Sequence, residues 1–142
     1  MASLLKVDSL TGVTTAGSIS VTGEGNSTTT NLQQGLVKSW YCLQGTDTFG
    51  IKDSFNTASA TDNGEGDYTT VRTNAFSNDD YATAALCSST GGSSPHYNFT
   101  VENQDNRLRS TTSLRTYILN SQSGEGANDA LDSSVSFMGD LA

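Results

Sequence analysis

The chain has 142 residues, a net charge of −8 and a pI near 4.2. Its seven Lys and Arg, scattered from Lys6 to Arg115, form no basic stripe that would neutralise phosphates, which argues against a nucleic-acid partner. Ser and Thr number 20 each against 27 Leu, Ile, Val and Phe together, near the composition at which a charged chain fails to fold alone, and no apolar run approaches the roughly 20 residues of a membrane span.

The opening Met-Ala-Ser-Leu-Leu-Lys has neither the basic region nor the apolar stretch of a secretion signal, so export by that route is not expected. Leu4, Leu5, Val7 and Leu10 are apolar with no evident place inside a polar stalk. They are candidate anchors to another protein, and their plainer role is packing against further copies of the chain. Residues 13–22, VTTAGSISVT, alternate with a period of two, as extended chain with one mildly apolar edge. So little apolar surface cannot hold a strand in water, and an isolated hairpin here would be marginal. Assembly with copies of itself is one solution; a disordered tail or an edge strand laid on the downstream domain are the alternatives. Residues 23–35, GEGNSTTTNLQQG, read as a linker. The chain thus divides into an N-terminal stalk or anchoring segment, 1–35, and a folded domain, 36–142.

From residue 36, short alternating runs recur at 36–43, 55–61, 68–73, 81–87, 97–101, 113–119 and 131–138, separated by Gly, Asn, Asp and Ser clusters. That rhythm predicts an all-β fold, an antiparallel β-sandwich. Tyr97, Phe99 and Val101 share one parity against Asn98, Thr100 and Glu102, and Leu131, Val135 and Phe137 oppose Asp132, Ser134 and Ser136; one side goes to the core and one to water. From Trp40 to Leu43 both parities are apolar, as in a strand covered on both faces, for instance by another subunit. The alanines of 78–86 mimic a helix but lack its spacing of three and four, and the segment is read as a strand.

Residues 62–67, DNGEGD, carry oxygens suggestive of a calcium loop but lack its 12-residue register and closing bidentate Glu. Asn63-Gly64 is the simpler hairpin turn, since both residues accept positive φ. Cys42 and Cys87 lie far apart with no partner at ligand spacing, so no metal or cofactor is expected; a disulfide would require their strands to face one another. Carboxylate pairs such as Asp79 with Asp80 or Asp129 with Asp132 show no sign of the cleft that glycosidase chemistry needs. The longest non-apolar loop, 88–97, ends in His96 and Tyr97, whose ring nitrogen and aromatic face suit a sugar; the plainer reading has Tyr97 opening a core strand beside an exposed His96.

Residues 35–71, GLVKSWYCLQGTDTFGIKDSFNTASATDNGEGDYTTV, carry Lys38 and Trp40, Gly45 and Thr46, then Ser54, Phe55 and Asn56, then Asp62, Asn63, Gly64, Gly66, Asp67 and Tyr68. In order and spacing these resemble a module at the C-terminal ends of tail-fibre and related appendage proteins of tailed bacteriophages. The strand from Asp132 to Phe137 closing in Gly139-Asp140 resembles the end of such modules. Residues 3–8, SLLKVD, and the alternation after them resemble short N-terminal pieces of phage fibre proteins. The match is loose over 74–128.

The resemblance implies a homotrimer, with N-terminal strands entwined or joined into a short stalk and C-terminal sandwiches around a threefold axis. It implies a virion location, on a tail fibre or appendage, for a protein made in the bacterial cytoplasm. Its partners would be itself, other virion proteins through Leu4, Leu5, Val7 and Leu10, and a host-surface glycan or protein through His96 and Tyr97. A capsid-bound fibre or decoration protein is the alternative, and catalysis is not expected.

Overall fold

A computed structural model describes residues 4–12, 19–22, 28–32, 35–88, 98–102, 109–120 and 126–141. They belong to two compact units, Met1–Leu36 and Val37–Ala142. In the first, β1 (Ser20–Thr22) pairs antiparallel with β2 (Thr29–Asn31), Val21 opposite Thr30. The Leu32 N–H prolongs the pairing by donating to the Ile19 carbonyl at 2.9 Å. The stretch expected to be a linker therefore contributes a strand, because the β-branched Thr28-Thr29-Thr30 run favours extended backbone. Residues 13–18 of the expected strand lie outside the described residues.

The second unit holds two antiparallel sheets, and the described residues contain no helix. One sheet runs β4 (Gly50–Phe55), β3 (Val37–Gln44), β11 (Ser133–Met138), β7 (Ala82–Cys87). In the other, β5 (Thr57–Gly64), β6 (Asp67–Arg72) and β9 (Ser113–Asn120) pair in turn, with β8 (Asn98–Glu102) and the short β10 (Gly126–Ala127) also on β9. The strand β4 escaped the sequence reading, since its Gly, Lys and Asp give no alternation. The chain passes from one sheet to the other at Asn56, held at φ 54°, a conformation asparagine tolerates better than most residues. Its Nδ2 donates to the carbonyls of Lys38 (3.0 Å) and Asn74 (3.3 Å), and its Oδ1 accepts from the Asn74 N–H (2.7 Å).

The sheets pack face to face through alternate residues. Ser39, Tyr41, Leu43, Ser133, Val135 and Phe137 from one meet Tyr68, Thr70, Arg72, Leu114, Thr116 and Ile118 from the other, all buried. Leu131, expected to share the buried parity, is 46% exposed, and Ser133 takes the first inward position. The register of β8 sets Thr100 opposite the buried Ile118 and Val101 opposite Tyr117. Thr100 therefore shares the inner side with Ile118 and Val101 the opposite one, the reverse of a simple apolar-in reading at these two positions.

Arg72 is the one cation among these inner positions. It is 5% exposed, and its guanidinium carbon lies 4.3 Å from the ring centre of Tyr81, 4.4 Å from Phe137 and 4.8 Å from Phe76. Its Nη1 donates to the carbonyls of Ser110 and Thr111. Three ring faces supply the remaining compensation a buried cation requires. Arg109 lies over the Tyr81 ring at 4.5 Å and donates to the Glu102 carboxylate, which ties residues 109 and 102 to this end of the core.

Candidate functional site

At one end of the second unit two segments named by the fibre-like pattern, Gly45-Thr46 after β3 and the β5–β6 hairpin, interlock with Asp129-Ala130 before β11, which the pattern does not name. The hairpin turns on Glu65-Gly66, two residues beyond the expected Asn63-Gly64, with Gly64 at φ 137° and Gly66 at φ 67°. Asn63 instead lies within the last residues of β5 before the turn and donates to Thr69 Oγ1 at 2.8 Å, while the Asp62 carboxylate accepts the Gly64 N–H at 2.9 Å.

The turn seats on Asp129. One oxygen, Oδ1, accepts the Gly66 N–H at 2.8 Å and the Tyr68 hydroxyl at 2.6 Å. Burial and then this carboxylate push the Tyr68 hydroxyl above the ordinary tyrosine range. Gly45 lies against that hydroxyl and donates its N–H to the Ala130 carbonyl at 2.9 Å. A Cβ on Gly66 would come within 2.7 Å of Asn128 N and the Ile118 carbonyl oxygen. Phe49 stacks on Tyr68 with ring centres 5.4 Å apart. Beside the turn, Arg115 grips Asp67 through Nε at 2.7 Å and also through Nη2. The Gly, Asn, Asp and Tyr spacing thus encodes one interlocked corner.

Asp129 and Asp132, considered as a carboxylate pair, have separate tasks: Asp129 anchors the turn, and Asp132 pairs with Lys52. Asn78 accepts the Asp80 N–H at 3.0 Å, an Asx turn that places Asp79 and Asp80 in a loop before β7. Cys42 and Cys87 flank β11 on either side, paired with Ser134 and Ser133 respectively. They are therefore two strands apart on opposite faces of the sheet, beyond the reach of a disulfide within one chain. No group of three or more His, Cys, Asp or Glu among the described residues could hold a metal ion.

His96 and Tyr97 lie outside the described residues. Leu4, Leu5, Val7 and Leu10 are exposed by 78, 77, 56 and 57% on the single chain. Sequence reasoning missed Asp129, Asn56 and Arg72 as organising residues. Asn56 and Asp129 sit in ordinary turn-forming surroundings, and nothing in a strand's alternation marks Arg72 as an inward cation. No protein-family model, curated protein or solved structure matches this chain.

Proposed function

We propose that the chain is a non-enzymatic structural protein of a tailed-bacteriophage virion, a homotrimeric tail fibre or appendage protein that takes part in host-surface recognition. The observation that carries this reading is the ordered pattern from Lys38 to Tyr68. Its Gly45, Asn56, Asp62, Gly64, Gly66, Asp67 and Tyr68 each hold a specific contact or backbone conformation, so the likeness is to a folded unit rather than to a composition. The exposed Leu4, Leu5, Val7 and Leu10 support assembly, since a lone chain leaves them in water. Three N-terminal strands pairing between chains would close the edges that one copy exposes. In this reading the four residues anchor the protein to the virion, and His96 and Tyr97 contact a glycan or protein receptor without metal or cofactor.

Sedimentation of the full chain together with labelling of the protein in images of whole particles tests the reading. A trimer found at tail fibres or appendages is the expected result. Label on the capsid surface instead would favour the decoration-protein alternative, and a stable folded monomer would refute the assembly. Binding to host cells should fall in a His96→Ala, Tyr97→Ala double variant, and unchanged binding would remove those residues from the receptor site.

A further inference from the structure

The outer face of the four-stranded sheet carries Trp40, Phe55 and Leu86. Ladder pairing places Phe55 beside Trp40 and then Ser136 and Ala84 in one row across the sheet, and Asp53, Cys42, Ser134 and Leu86 in the next. Phe55 is 55% and Leu86 78% exposed. In a chain with 40 Ser and Thr among 142 residues, apolar side chains gathered outside the core require an explanation.

We propose that this face, centred on Trp40, Phe55 and Leu86, is where copies of the chain pack on one another, turned toward the axis of the assembly. The inference rests on the trimeric reading. Charge favours a like partner: the chain carries −8, yet around this face Lys38 and Lys52 balance Asp53 and Asp132, with Lys52 already paired to Asp132. Copies can approach here without the repulsion the remaining surface imposes. Area points the same way. Four strands spaced about 4.8 Å apart, over some five or six residues, present roughly 300–400 Å², about half the ~800 Å² per partner of a standard interface. A free protein would bind so small a patch weakly. A copy already joined through the N-terminal segment meets it at an effective concentration near millimolar, where the patch suffices.

The edge beside the patch agrees. Strand β7 pairs with β11 without a register shift and has no charged residue, proline or bulge, features that otherwise blunt an edge strand.

Trp40 is the single tryptophan, so its fluorescence reports on this face directly. In the full chain its emission should be blue-shifted and shielded from acrylamide at concentrations where sedimentation gives a trimer, and both should relax on dilution. A Phe55→Lys, Leu86→Lys double variant should keep the far-ultraviolet circular dichroism of the wild type and dissociate at about 100-fold higher concentration. A Ser59→Lys control, at an exposed position of the other sheet, should behave as wild type. A wild-type trimer whose Trp40 is as quenchable as in the monomer, or a double variant equally trimeric, would overturn this interface while leaving the trimeric reading intact. A monomeric wild type would overturn both.

Discussion

Substituting Gly45 by alanine tests the interlocked corner most directly. The added methyl carbon would stand 2.1 Å from Tyr68 Oη and 3.0 Å from both Tyr68 Cζ and the Ala130 carbonyl oxygen. Tyr68 is 0% exposed and stacked on Phe49, so the ring has no room to withdraw. Its hydroxyl must leave Asp129 or the β3–β4 turn must shift. Overpacking of this kind costs about 1–3 kcal/mol, and loss of a hydrogen bond to a charged group about 1.5–3 kcal/mol. Alanine recovers roughly 0.5–1 kcal/mol by restricting the unfolded chain, which leaves a net loss of about 2–5 kcal/mol, or at least about 10 °C in Tm. Urea unfolding of wild type, Gly45→Ala, Tyr68→Phe and the double variant completes the cycle. Removing the hydroxyl first should relieve the worst contact, so Gly45→Ala should cost at least about 1 kcal/mol less in the Tyr68→Phe background. A Gly45→Ala protein within about 1 kcal/mol of wild type, or an equal cost in both backgrounds, would refute the reasoning.

The buried Tyr41 hydroxyl has no well-aligned hydrogen-bond partner, so Tyr41→Phe should unfold in urea within about 1 kcal/mol of wild type while Tyr68→Phe loses about 1.5–3 kcal/mol. Burial pushes the Tyr41 pKa up to about 12, against about 10 in the unfolded chain. The stability of the neutral form is therefore intact below pH 10 and lost between pH 10 and 12, amounting to about 2–3 kcal/mol, and urea midpoints across that range should fall less steeply for Tyr41→Phe. Asn56→Ala should cost about 2–4 kcal/mol by losing the amide contacts and straining the positive φ, and Asn56→Gly should recover only about 1 kcal/mol of it; an Asn56→Ala midpoint equal to wild type would contradict the corner. The Ser88 N–H donates to the Asp132 carbonyl, and alternation along the ladder then turns the Ala84 N–H toward β11 and the Ala85 N–H away from it. Ala84→Pro should cost about 3 kcal/mol and Ala85→Pro less than about 1 kcal/mol, and equal losses would show the parity is wrong.

Period-two patterning located most of the long strands because each has one buried parity: Tyr41 and Leu43 in β3, Leu114 and Ile118 in β9, Val135 and Phe137 in β11. Strand β4 stayed hidden because it lies at the edge of its sheet, with Ile51 packed against the core but Gly50, Lys52 and Asp53 carrying no apolar period. Strand β2 was hidden by its length of three residues. The corner was legible as a motif but not as a mechanism. The spacing of Gly64, Gly66 and Tyr68 announced a hairpin, yet Asp129, which holds that hairpin, lies 61 residues from Tyr68. Only the pairing of β6 with β9, and of β11 with β3, brings such distant positions together.

The allocation of side chains joins the composition to the proposed assembly. Of the twelve inner positions on β3, β11, β6 and β9, four are Ser or Thr and one is Arg72, all buried. Meanwhile Trp40, Phe55 and Leu86 stand on the outer face of the same four-stranded sheet, two of them more than half exposed. Exchanging inner hydroxyls for these outer apolar groups would strengthen an isolated domain, since burying a large apolar side chain is worth about 1.5–3 kcal/mol and burying a hydroxyl returns little. A monomer therefore gains nothing from this arrangement. In the proposed assembly, copies covering the outer face would turn Trp40, Phe55 and Leu86 into a second core, and the shortage of apolar residues within one chain would become a division of core between chains.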